Sequence, residues 1–188
     1  MPKLPVIAVA SVMVVLASIA VWLDRPEATS PSAMDTKTSV QGVGVSSGAL
    51  YGAKFTDLQG NSRTLGQWDR KLLIVNFWAT WCAPCKEEIP ILVGLQAKFG
   101  DENVQIVGIA ADSTLNVAKF AQNTKINYPL LIDEAGAIEF SKRLGNRFGL
   151  LPHTVVFIPG GDVIYTKLGP ITEIELSNII AKNTSNQR

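Results

Sequence analysis

One stretch constrains this chain more than any other. The nearly unbroken apolar run Leu72-Leu73-Ile74-Val75-Asn76-Phe77-Trp78 leads through Thr80 and Trp81 into Cys82-Ala83-Pro84-Cys85. A strand that is apolar on both sides has to be central and covered on both faces. Beyond the cysteines, Ile89, Leu92, Val93, Leu95, Gln96 and Phe99 fall near helical spacing, and Gly100 ends the pattern. Pro90 lies inside that helix, removes one backbone hydrogen bond and predicts a kink. The two cysteines are the only ones in the chain and sit at a strand-to-helix junction. Unpaired N–H groups and the positive end of a helix dipole converge there and favour thiolate over thiol. Two cysteines three apart close a small disulfide ring, which takes up and releases two electrons by exchange with another disulfide.

The string Trp81-Cys82-Ala83-Pro84-Cys85 resembles a thioredoxin-superfamily active site. With Glu87-Glu88-Ile89-Pro90 added, it resembles the TlpA/ResA-like membrane-anchored thioredoxins of bacteria. The resemblance covers residues 49–182 and implies an α/β thioredoxin fold, a mixed central sheet with helices on both faces. It also implies a family strand–helix insertion after the active-site helix, and an N-terminal β-hairpin and a membrane-anchor helix ahead of the core.

The pattern along the chain agrees. Residues 53–58 alternate, Gln59-Gly60-Asn61-Ser62 is turn chemistry, and Arg63-Thr64-Leu65 returns as a hairpin. Residues 104–110 read as a second buried strand. Ser113 caps a helix to about Thr124 with Leu115, Ala118, Phe120 and Ala121 inward. Leu130-Leu131-Ile132 is a short strand, and 136–144 a short helix ending at Gly145. Residues 154–158 and 163–168 flank the turn Pro159-Gly160-Gly161-Asp162 as an antiparallel hairpin. Thr172-Glu173-Ile174-Glu175 is a capping box that opens a last helix to about Lys182.

The chain divides into an anchor or signal segment (1–25), a flexible linker (26–48), a thioredoxin-like domain (49–183) and a polar tail (184–188). Val6 to Leu23 carries no charge and is just long enough to cross a bilayer. A cleavable signal peptide with Ser18-Ile19-Ala20 at its cleavage site is the competing reading. Either way the domain lies outside the cytoplasm, in the periplasm or extracytoplasmic space beside a bacterial inner membrane. The Pro-, Ser-, Thr- and Gly-rich linker spans roughly 25–30 Å as a random coil.

The resemblance assigns roles residue by residue. Cys82 is the nucleophile and Cys85 the resolving thiol. Glu88, one turn past Cys85, is linked to proton transfer, whereas Glu87 points away. Asn76 stands where ordinary thioredoxins carry a buried aspartate, and asparagine does not titrate. Leu151-Pro152-His153-Thr154 matches the proline loop opposite the dithiol, with a cis bond at Pro152. Trp81 and Trp78 flank the site, one covering the dithiol and one packed beneath it. His153, the only histidine, would stabilise the Cys82 thiolate as a cation if it lay beside it. Trp81, Leu151 and His153 are the expected substrate contacts.

A net charge of +1 gives no electrostatic case for nucleic acid. Lys142, Arg143 and Arg147 read as a solvated face. Two cysteines and one histidine fall short of a four-ligand zinc site. A four-residue disulfide loop removes little chain entropy, which argues against a purely structural bridge. Val75 stands where a peroxiredoxin motif needs proline. The expectation is an extracytoplasmic protein-disulfide reductase with no cofactor beyond the redox-active Cys82–Cys85 pair. By resemblance, its targets are proteins of cytochrome c or copper-oxidase assembly and its electron donor is a membrane dithiol carrier. The rival is a non-catalytic copper-binding assembly factor using Cys82, Cys85 and His153.

Overall fold

The computed structural model describes residues 47–100 and 102–184. The element order is α1 (Ser47–Tyr51), β1 (Lys54–Asp57), β2 (Ser62–Thr64), a 3-10 turn (Leu65–Trp68), β3 (Leu72–Trp78), α2 (Ala83–Phe99), β4 (Val104–Ala110), α3 (Thr114–Thr124), β5 (Leu130–Ile132), α4 (Ala137–Arg143), β6 (His153–Phe157), β7 (Val163–Leu168) and α5 (Glu173–Thr184). One seven-stranded sheet has the order β2-β1-β5-β4-β3-β6-β7. Strands β3, β4 and β5 run parallel, β6 and β7 close one side antiparallel, and the β1–β2 hairpin closes the other. This is the thioredoxin fold.

All seven residues of β3 are buried, as a strand covered on both faces requires. Side-chain alternation sorts them between two cores. Leu72, Ile74 and Trp78 meet Ile89, Leu92 and Leu95 of α2, Val117 of α3, and Leu176 and Ile180 of α5. Leu73, Val75 and Phe77 meet Leu50 of α1, Leu65, and Ala137, Phe140 and Leu144 on and just after α4. Each such fully buried aliphatic side chain contributes roughly 1.5–3 kcal/mol.

Several details differ from the sequence expectation. A helical turn opens at Ser47, inside the expected linker, and buries Leu50. In α3 it is Val117 that is fully buried, with Phe120 and Ala121 beside it, while Leu115 is exposed. Leu115 stands in the first turn and outside the Val117–Phe120–Ala121 stripe. Only one arm of the capping box at α5 is made: the Glu175 N–H donates to Thr172 Oγ1 (3.3 Å), whereas the Glu175 carboxylate accepts from Tyr165 and Lys167. As expected, Pro90 lies inside helix α2. Among the described residues no helix is long and apolar enough to cross a membrane. The anchor expected at Val6–Leu23 lies outside the described residues, as does the linker up to Ser46.

Candidate active site

Strand β3 ends at Trp78, and the chain turns into α2 with Cys82 at its N-cap. Cys82 and Cys85 are disulfide-bonded with Cα atoms 5.3 Å apart. The Cys82 sulfur accepts the Cys85 N–H at 3.3 Å, so it already occupies the donor-rich end of the helix. Cys82 is 6% exposed and Cys85 is fully buried, an order that suits a first-attacking and a resolving sulfur. Trp81, just ahead of the pair, is 67% exposed. Trp78 is buried beneath and tilts against Phe120 with ring centres 5.2 Å apart.

Asp112 fixes the loop that carries Trp81. Its carboxylate accepts the backbone N–H of Thr80 (3.0 Å), the Thr80 hydroxyl, the N–H of Ser113 (2.8 Å) and the Asn116 amide (2.9 Å). Burial acts to raise the Asp112 pKa, but these donors outweigh it and the value is lowered.

Glu88 lies one turn beyond Cys85 and is buried. Its Oε1 accepts from Asn76 Nδ2 at 2.6 Å and its Oε2 from the Ile171 N–H at 2.9 Å. Burial pushes its pKa up to about 6 despite the two donors. The phenol of Tyr128 is raised by its own burial and then by the Glu88 charge. Asn76 also donates to Thr154 Oγ1 at 3.0 Å. Glu87 is exposed.

The Leu151–Pro152 bond is cis. Phe77 pairs with His153 across β3 and β6, which sets Pro152 level with Trp78, where β3 gives way to the cysteine loop. Asn146 holds the approach to this proline. Its Oδ1 accepts the Leu150 N–H (3.1 Å), and its Nδ2 donates to the Leu150 carbonyl (2.7 Å) and to Ser141 Oγ (2.9 Å). Behind the proline, the Gly169 N–H donates to the Pro152 carbonyl at 2.9 Å. Phe148 and Leu150 on this loop stand exposed, as does Trp81 on the cysteine loop.

His153 is placed otherwise than expected. It is buried on the sheet face opposite the dithiol, stacked on Phe77 with ring centres 5.6 Å apart. Ser141 Oγ lies 2.8 Å from Nδ1, and Thr166 Oγ1 lies 2.8 Å from Nε2. Burial lowers its pKa to about 4, so it is neutral at physiological pH. The reason is the period-two alternation of β6: Thr154 faces Asn76 and the dithiol side, and His153 therefore faces away. His153 neither stabilises the Cys82 thiolate as a cation nor touches a substrate, and a Cys82–Cys85–His153 copper site does not assemble. Among the described residues no group of three His, Cys, Asp or Glu side chains is arranged to hold a metal.

Sequence reasoning thus placed Cys82, Cys85, Glu88, Trp81, Leu151 and Pro152 around one site, gave Thr154 no role beyond its place in the proline-loop motif, and missed Asp112 and Asn146. Asp112-Ser113 ahead of a helix is a capping cue, and Gly145-Asn146 a turn cue, either of which could have drawn attention to them.

The redoxin family model matches residues 32–181. The thiol-disulfide oxidoreductase ResA of Bacillus thuringiensis subsp. konkukian is 31% identical over 132 residues, 69% of this chain and 73% of the relative. ResA of Bacillus anthracis is 30% identical over 130 residues, again 69% and 73%. Among solved structures, a thioredoxin-family thiol:disulfide interchange protein from Chlorobium tepidum superposes with a TM-score of 0.62 at 26% identity, over 70% of this chain and 92% of that one. StoA from Bacillus subtilis shares the fold, with a TM-score of 0.55 at 22% identity over 67% of this chain and 93% of its own.

Proposed function

This chain belongs to the redoxin family and is a thioredoxin-like thiol–disulfide oxidoreductase acting on protein thiols and disulfides, and from that premise we propose a membrane-tethered, extracytoplasmic reductase with the following division of labour. The Cys82 thiolate attacks a target disulfide, joins one target sulfur and releases the other as a thiolate. Cys85 passes its proton to Glu88 and its sulfur attacks Cys82 Sγ. The Cys82–Cys85 bond forms, the bond to the target breaks, and the second target sulfur leaves. Two electrons pass to the target, whose sulfurs take up one proton from Glu88 and one from solvent. Leu151 and Pro152 offer backbone to an extended target segment, and Trp81 contacts it.

One observation carries this reading. The bonded pair sits at a helix N-cap with its outer sulfur beside an exposed tryptophan, and a buried carboxyl of raised pKa lies one turn behind its inner sulfur. The resemblance to TlpA/ResA-like proteins supports targets in cytochrome c or copper-oxidase assembly. It also supports a membrane dithiol donor, because the chain has no further cysteine to relay electrons.

Trapping tests the assignment. Cys85→Ser should accumulate a mixed disulfide with target proteins through Cys82, and Cys82→Ser should accumulate none; equal trapping by both would overturn the roles. Equilibration of the full chain with glutathione or dithiothreitol buffers tests the direction. A potential near the reducing end of the range, about −270 mV, supports a reductase, and one near −120 mV overturns it in favour of a disulfide donor.

A further inference from the structure

Asn76 is bonded in an unusually one-sided way. Both protons of its amide are used, one on Glu88 Oε1 (2.6 Å) and one on Thr154 Oγ1 (3.0 Å), while its Oδ1 is buried without a partner among the described residues. The two groups it donates to share a property: each can also donate. A protonated carboxyl carries an O–H, and a threonine hydroxyl rotates between donor and acceptor. We propose that Asn76 is a reversible amide, which donates to Glu88 when the carboxyl is charged and turns over to accept from it when the carboxyl is protonated.

A half-turn of the amide exchanges Oδ1 and Nδ2 without displacing other heavy atoms. Oδ1 then accepts from the Glu88 O–H and the Thr154 O–H, and the Ile171 N–H stays on Oε2. Asn76 makes two hydrogen bonds in either orientation; the idle group is the carbonyl oxygen in one and the NH2 in the other. An aspartate here would repel a charged Glu88, and a leucine would bond to neither form. Asparagine thus lets a buried acid change charge without losing its anchor on Ile171. That matters because Ile171 lies two residues from Gly169, whose N–H holds the Pro152 carbonyl. Asn76 is in this sense a positioning residue: it keeps the proton acceptor of the dithiol and the proline loop in place through the proton cycle. The groups facing Glu88 are Asn76 of β3, Ile171 ahead of α5 and the Tyr128 phenol ahead of β5, and Cys85 lies one turn back on its own helix. Lys167 of β7 is paired with Glu175.

The inference rests on the reading of Glu88 as proton acceptor, but its test is separate from turnover. Side-chain and backbone amide resonances of the oxidised full chain, in which neither cysteine titrates, are followed from pH 8 to pH 5. Above the Glu88 titration one Asn76 Nδ2 proton should be shifted downfield by the carboxylate. Below it that shift should be lost, while the Ile171 amide proton stays protected from exchange throughout. In Glu88→Gln, the oxygen of the introduced carboxamide is needed by Ile171, so its nitrogen must donate to Asn76 Oδ1. The downfield resonance should then be absent at every pH. An Asn76 resonance that stays downfield through the titration, or that persists in Glu88→Gln, overturns the proposal. So does loss of Ile171 protection as Glu88 protonates. If Glu88→Gln does not fold, the titration of the unmodified chain decides alone. The cysteine trapping can succeed while this fails, and the reverse.

Discussion

The carboxylate of Glu88 accepts the backbone N–H of Ile171 at 2.9 Å, which ties the helix that follows Cys82 and carries Cys85 to the loop behind the cis-proline Pro152. The bond ought to favour the charged form, yet burial wins and the pKa stands at about 6 against an ordinary 4.5. The folded protein therefore holds this proton more tightly than the unfolded chain. The resulting stabilisation is present below about pH 4.5 and is lost as pH rises through 6. At 1.36 kcal/mol per unit, the loss is about 2 kcal/mol. His153 has the opposite sign: its folded pKa falls to about 4 from 6.5, so its contribution is present above 6.5 and is lost as pH falls through 4. The two slopes oppose each other between pH 4.5 and 6. Glu88→Gln should expose the histidine's slope alone, with stability falling more steeply on acidification than in the unmodified protein. Denaturant unfolding at stepped pH measures this, and equal slopes in both proteins would rule out Glu88 as the group that titrates there.

His153→Ala separates packing from chemistry. The side chain is buried, stacked on Phe77 and bonded at both nitrogens. Its removal should cost about 3 kcal/mol, mainly through the cavity it leaves and the lost bond to buried Ser141. The pH dependence of Cys82 alkylation in the reduced protein should not move, because the imidazole is neutral and lies behind the sheet. A shift in the Cys82 thiol pKa would contradict the geometry.

Asn146→Ala removes two hydrogen bonds to the Leu150 backbone and one to Ser141. The expected loss of stability is about 1–3 kcal/mol, since the part-buried Leu150 N–H and carbonyl lose their partner. The larger effect should be local: faster hydrogen exchange at the Leu150 amide and a raised KM for protein targets, with the Cys82 thiol pKa unchanged. A fall in kcat with KM unchanged would mean that the loop serves chemistry and not docking.

The parts of this protein most legible in its sequence are those fixed by local chemistry. The apolar run at Leu72–Trp78, the cysteine spacing, the Ser113 cap and the Gly-rich turn at 159–162 each answer to rules that act over a few residues. His153 shows where such reading fails. Its place one residue after Pro152 suggested nearness to Cys82, but strand alternation turned it to the far face. Only the register between β3 and β6 decides which of His153 and Thr154 meets the dithiol side, and register is a long-range property. Asn146 and Asp112 were missed for a related reason. Their partners include backbone groups of loops, and an acceptor such as the Leu150 carbonyl leaves no mark in the side-chain sequence.

Phe148 and Leu150 stand 76% and 57% exposed on the loop that leads to Pro152, and Trp81 stands 67% exposed on the loop that leads to Cys82. Large apolar side chains left in water beside a reactive pair gain from being covered when a target polypeptide docks. A charge at the centre of such a contact must be desolvated without a partner, which typically costs 1–2 kcal/mol or more, or roughly tenfold in affinity. Phe148→Asp should therefore raise KM for reduction of a disulfide-bonded protein about tenfold, with kcat little changed. The rate with a small disulfide such as oxidised glutathione should stay the same, because a small molecule needs only the sulfur and its immediate surroundings. Folding should be unaffected, since the Phe148 ring is mostly in solvent. Steady-state kinetics with the two substrates side by side makes the comparison. An equal loss on both would place Phe148 in the chemistry of the sulfurs, and no loss on either would mean that targets approach the Cys82–Cys85 pair from another side.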